Sequence, residues 1–245
     1  KKKKKEQEKK FPSEVIDLPS KGLLYSADSP LKSGTIEMKY MTAKEEDILT
    51  NQNYITKGVV IDKLLQSLIV DKNIKYGELL IGDKNALLVA ARILGYGKDY
   101  EFNYQGEKVT VDLSEVTNKT FDESKLTDGK NEFEYTLPTT GDKITFKLLT
   151  HSDEYKIDQE MKGVKKMNKD ASPEVSTRLK YMILSVNGNG ETKTIREFVD
   201  NRFLARDSRS FRKHITDIQP DVDLKFYPAD AEEGVAIPIG VNFLW

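Results

Sequence analysis

The chain has 245 residues, 38% of them hydrophobic and 32% charged, with a formal net charge of −1. That length suits one large domain or two medium ones, and the absence of cysteine excludes disulfides and thiolate metal sites. No apolar run approaches the roughly 20 residues that cross a bilayer, and no apolar core follows the leading lysines as in a secretory signal, so the cytoplasm is the expected compartment.

Charge is unevenly placed. Residues 1–10 hold seven lysines and two glutamates, a local charge of +5. A like-charge block reads first as a solvated tail, with nucleic acid or an acidic partner as the alternative. Pro12, Pro19 and Pro30 keep the next stretch extended. Its apolar side chains, among them Leu18, Leu23, Leu24 and Tyr25, outnumber what a linker needs. Residues 1–33 therefore read as a basic tail and an extended docking arm; packing of the arm on its own domain is the alternative.

The first α+β unit is expected over 34–113. An alternating strand at 35–41 runs into a helix capped by Thr42. A second helix spans about 58–70 on the stripe Val59, Val60, Leu64, Leu65, Leu68 and Ile69. Gly82-Asp83 opens a third, stopped by Gly95 and Gly97. Residues 99–113 alternate about Gln105-Gly106 as a β-hairpin. A polar stretch, 114–131, reads as the linker.

The second unit, 132–245, begins with a hairpin across Thr139-Thr140-Gly141-Asp142. A helix follows from Thr150 to near Lys169, and Ser172-Pro173-Glu174 starts the next. Thr194-x-x-Glu197 reads as a capping box. Asp207 starts the last helix, and strands are expected at 222–227 and 235–244. The order of elements repeats that of the first unit. Residues 34–46 and 142–154, 108 positions apart, also align side chain by side chain: Ile36 with Ile144, Met38 with Phe146, Lys39 with Lys147, Thr42 with Thr150. The fold expected is α+β with an internal duplication, each unit strand–helices–hairpin.

Catalytic readings find little support. His151 sits in a helix's first turn and His214 on a charged helical face, neither beside a pattern that makes a nucleophile's base or a metal ligand. Gly95-x-Gly97 ends a helix where a dinucleotide fingerprint would open one. Adjacent acids such as Glu45-Glu46 and Glu232-Glu233 point to different faces. Tyr100, Phe102 and Tyr104 alternate as a base-stacking strand would, but Glu101, Glu107 and Asp112 surround them, which favours a packing role. Arg202, Arg206, Arg209, Arg212 and Lys213 read as a solvated basic face. No enzyme is expected.

Several phrases together resemble the baseplate hub proteins of T-even-like contractile-tail bacteriophages. They are Leu18-Pro19-Ser20-Lys21-Gly22-Leu23-Leu24-Tyr25, Met41-Thr42-Ala43-Lys44-Glu45-Glu46-Asp47-Ile48-Leu49, Gly82-Asp83-Lys84-Asn85-Ala86-Leu87-Leu88 with Arg92-Ile93-Leu94-Gly95-Tyr96-Gly97, and the ending Ile237-Pro238-Ile239-Gly240-Val241-Asn242-Phe243-Leu244-Trp245. The resemblance implies a structural or assembly role in the tail, as a hub component or a transient chaperone of the hub. Other tail proteins are then the expected partners, self-association is open, and the chain sits in the virion tail or in host cytoplasm during assembly. Leu18, Pro19, Leu23, Leu24, Tyr25, Phe243 and Trp245 are the candidate partner contacts. Relatives place Cys-x-x-Cys pairs in the two hairpins, which would suit zinc. Here those places read Asn103-Tyr104-Gln105-Gly106 and Tyr227-Pro228-Ala229-Asp230, so no metal or cofactor is expected. Nucleic acid, through Lys1–Lys5, is the weakest partner reading, and no membrane partner is expected.

Overall fold

The computed structural model describes residues 12–228, 233–239 and 241–244. The lysine-rich residues 1–10 and Trp245 lie outside them. The fold is α+β, with four small antiparallel sheets and eight α-helices among the described residues.

β1 (Ser13–Asp17) pairs with β2 (Thr35–Lys39), Val15 opposite Glu37. α1 (Ala43–Leu49), α2 (Gln52–Lys57) and α3 (Val60–Leu68) follow. A 3-10 turn (Tyr76–Glu78) then leads to α4 (Ile81–Tyr96). β3 (Asp99–Tyr104) and β4 (Glu107–Asp112) form the expected hairpin, turning at Gln105 and Gly106, both at positive φ. β5 (Phe133–Thr136) and β6 (Lys143–Phe146) pair next. α5 (His151–Met167) and α6 (Glu174–Met182) lead to β7 (Ile183–Val186), which joins β6 on its other edge. α7 (Thr192–Asn201) and α8 (Ala205–Ile218) precede the short pair β8 (Lys225–Phe226) and β9 (Val235–Ala236).

Alternation decides what the strands bury: Ile36 and Met38 on β2, Ile144 and Phe146 on β6, each at most 1% exposed. α3 buries the helical stripe Val60, Leu64, Leu65 and Leu68. α4 is covered on most sides, from Gly82 through Arg92. A Cβ on Gly82 would lie 1.9 Å from the Pro220 carbonyl oxygen, so only glycine lets the C-terminal segment close over the start of α4. On the outside, Arg178 grips Glu154 in two hydrogen bonds (2.6 and 2.9 Å) and Arg196 grips Glu160 likewise (2.8 and 2.7 Å), tying α5 to α6 and α7.

Five sequence expectations change. The docking arm folds back on its own protein: β1 is a strand of the first sheet, and Leu18, Leu24 and Tyr25 are 1%, 3% and 6% exposed. Proline and glycine bend this stretch into turns that close over α4 instead of leaving it extended. Residues 114–131 are no free tether, because Lys119 N–H donates to Asp221 O and Gly129 N–H to Leu23 O (2.8 and 2.6 Å). The C-terminal segment packs on the first unit's hairpin, with Phe226 edge-on to Phe102 and Tyr104 (both 5.1 Å) and Phe243 edge-on to Tyr100 (4.8 Å). Residues 241–244 are a 3-10 turn instead of a strand. Thr194 lies inside α7, which starts at Thr192, and is not its cap.

The refolded arm sets a prediction. Leu18 is an internal brace, so Leu18→Ala costs about 2–5 kcal/mol, measured by urea unfolding. Leu23→Ala, at a half-buried position, costs clearly less. A Leu18 variant as stable as the parent would return the segment to the role of a free arm.

Candidate functional site

Two buried carboxylates organise the molecule. Asp83, in the first turn of α4, accepts from Ser20 N–H (2.9 Å), Ser20 Oγ (2.6 Å) and Tyr25 Oη (2.6 Å). Tyr25 Oη in turn accepts from Leu80 N–H at 2.9 Å, satisfying one of the orphan donors at the helix start. Asp207, in the first turn of α8, accepts from the N–H groups of Thr139 (2.8 Å) and Thr140 (3.2 Å). Both aspartates have no exposed surface.

The two gripping loops share a pattern: Leu18-Pro19-Ser20-Lys21-Gly22 after β1, and Leu137-Pro138-Thr139-Thr140-Gly141 after β5. Leu18 and Leu137 are each 1% exposed, and Gly22 and Gly141 sit at φ 75° and 76°. At Gly22 a side chain would also strike Lys32 O at 2.5 Å. The repeated Leu-Pro-(Ser/Thr)-x-Gly ahead of each alternating strand is the signal by which these loops and their aspartates can be read from sequence.

Surroundings set the two acids apart. Burial pushes the Asp83 carboxyl above its ordinary range, against the pull of Ser20 and Tyr25. Burial and the Asp83 charge in turn push the Tyr25 phenol far upward, so it stays protonated as a donor. At Asp207 the same burial penalty is outweighed by the donors from Thr139 and Thr140, which hold it below the usual range.

A second matched pair lies at the strand–helix corners. Thr42 donates its N–H (3.0 Å) and hydroxyl (2.6 Å) to Glu45, which also binds Lys39 and Ser67 (2.7 and 2.8 Å). Thr150 donates its N–H (3.0 Å) and hydroxyl (2.9 Å) to Asp153, which binds Lys147 at 2.7 Å. Both threonines are helix N-caps, but the acid three residues on, instead of the threonine oxygen, holds most of the bonds. Burial would raise the Glu45 carboxyl; its three partners hold it at about 2.

Between these corners the halves meet. His151 N–H donates to Leu79 O (2.8 Å) and Ile81 N–H to Leu149 O (3.2 Å), with Leu80 bridged to Thr150. Beside this seam Asp62 accepts from Tyr76 Oη (2.8 Å) and pairs with Lys84 (2.7 Å), while the His151 ring meets the Tyr76 ring edge-on at 4.6 Å. Burial pushes the His151 imidazole below its ordinary value, with Asp62 opposing and Lys84 assisting. Lysine and tyrosine share one carboxylate here.

Of the expected contact residues, Leu18, Pro19, Leu24 and Tyr25 are buried, Leu23 is half-buried, and Phe243 is 0% exposed against Tyr100. Leu18, Leu24, Tyr25 and Phe243 belong to the hydrophobic core. Trp245 lies outside the described residues. Among the described residues no three His, Asp or Glu side chains gather to hold a metal. His214 stacks on Tyr135 at 4.6 Å. One of several open grooves, of about 540 Å³, lies between α6 and the start of α8, lined by Pro173, Val175, Leu179, Val199, Phe203 and Ala205, beside Leu204 at 46% exposure. It is the candidate docking site.

Comparison with known protein families, with curated proteins and with solved structures finds no match.

The depressed Asp207 yields a test. Such a group contributes stability above its unfolded value, about 3.9, and loses it as pH falls through the lower folded value. Asp207→Asn therefore melts below the parent at pH 7, and the gap narrows below about pH 4. A gap unchanged from pH 7 to pH 3 contradicts the assignment.

Proposed function

We propose that this chain is a structural protein of a contractile phage tail, a baseplate hub component that holds other tail proteins, built by duplication of one strand–helix–hairpin unit. The observation that carries the scaffold reading is how the buried acids are used. Glu45, Asp83, Asp153 and Asp207 are the buried carboxylates among the described residues, and each is bonded to its own fold. A general acid or base must instead face a substrate. Matched order supports the duplication: Leu18/Leu137, Thr42/Thr150, the extended Ile69/Ile183 that end α3 and α6, and Asp83/Asp207. The setting comes from the resemblance of the quoted phrases to baseplate hub proteins.

Mass spectrometry of purified particles from the phage that encodes the chain tests this, paired with deletion of its gene. The expected result is a fixed copy number per tail and assembly arrested at the baseplate on deletion. Arrest without the chain in mature particles would replace a hub component by a transient assembly factor. Normal particles after deletion would overturn both.

A further inference from the structure

We propose that the protein associates head to tail with a second copy of itself, the corner at 41–43 of one copy seating on the corner at 203–205 of the next, as 149–151 seats on 79–81 within one chain. The inference rests on the duplication proposed above and names a partner that follows from it.

Within the chain, the seam buries Leu79 (0% exposed), Leu80 (4%) and Leu149 (7%) under the two backbone hydrogen bonds already described. The His151 side chain enters a cleft between Asp62 on α3 and Lys84 on α4. The second unit carries the same receiving corner. Leu80 and Leu204 each stand just ahead of their helix in nearly the same conformation, φ −61°, ψ 147° and φ −60°, ψ 142°. Leu204, however, is 46% exposed.

The groove beside it is the open counterpart of the His151 cleft. α3 and α6 have nine residues each and both end on an extended isoleucine. Matching them puts Ser176 where Asp62 stands; matching α4 to α8 through their aspartates puts Ser208 where Lys84 stands. Ser176 and Ser208 both line the 540 Å³ groove.

The first unit carries the matching inserting corner. Met41 C=O and Ala43 N–H correspond to Leu149 C=O and His151 N–H, and among the described residues neither has a backbone partner. The same holds for Phe203 C=O and Ala205 N–H. Ala43 is exposed and takes the place of His151, so a small side chain meets the small Ser176 and Ser208 and the backbones can approach closely. Charge agrees: α1 exposes Glu46 and Asp47, and the start of α8 exposes Arg206 and Arg209. Each copy keeps one inserting and one receiving corner, so the contact is heterologous and continues into a ring or a filament.

The natural absence of cysteine makes the test clean. Ala43→Cys and Leu204→Cys, both at exposed positions, are treated with a short bifunctional maleimide, alone, mixed and combined in one chain. The expected result is dimer from the mixture, a ladder from the doubly substituted chain and monomer from each alone. Sedimentation of the parent should show mass rising with concentration, and Leu204→Asp should weaken that association about tenfold or more. Equal cross-linking of either single variant, or a parent that stays monomeric at every concentration, overturns the proposal. Hydrogen exchange on the same samples separates the two readings. Slow exchange at both Ser20 and Thr139 in a monomer overturns self-association alone, whereas fast exchange at either removes the duplicated anchor on which it rests.

Discussion

A carboxylate with no exposed surface at the start of a central helix is the constraint around which the first half is arranged. Asp83 stands in the first turn of α4, where the helix's own N–H groups favour a negative charge. An ionised carboxylate so buried is costly unless each oxygen finds donors. Ser20 and Tyr25 supply three, from residues 63 and 58 positions away in sequence. The loop that carries them cannot leave without exposing Leu18 and Leu24 and orphaning the charge together. Strand β1, the loop and α4 are thereby coupled, and α4 in turn is the element on which the C-terminal 3-10 turn and the loop at Pro220 close.

The second half meets the same requirement by different chemistry. Asp207 takes backbone N–H donors from Thr139 and Thr140, whose hydroxyls help to hold its charge, where Asp83 relies on Ser20 and Tyr25. Both the backbone and the hydroxyls of this turn favour the charged carboxylate. The consequence is electrostatic: Asp207 is held below the ordinary carboxylate range and Asp83 is pushed above it. Two geometrically matched acids therefore respond oppositely to acidification, although they anchor equivalent helices.

Local periodicity made much of this legible. The stripe of α3, the span of α4 and the β3–β4 hairpin follow directly from spacing, as do the cap positions Thr42 and Thr150. What is not legible is non-local. Leu18, Leu24 and Tyr25 read as a docking arm because their cover, α4, lies some sixty residues on. β7 is hidden because Ile183-Leu184-Ser185-Val186 extends the apolar pattern of α6, and a short apolar run does not declare its own period. Thr194 and Glu197 have capping-box spacing, yet Glu191 is the N-cap and α7 starts three residues earlier than that box implies. The groove beside Leu204 depends on the relative placement of α6, α7 and α8, which no single segment encodes.

The central claim is that the Asp83 anchor joins the N-terminal loop to α4, and a double-mutant cycle between Tyr25→Phe and Asp83→Asn tests it most directly. Hydrogen bonds to a charged group are worth about 1.5–3 kcal/mol, so the two losses should fall short of additivity by roughly 1 kcal/mol or more in equilibrium unfolding. Strict additivity, with each change costing the same whether or not the other is present, would mean that the loop and the helix are held together by something other than this carboxylate.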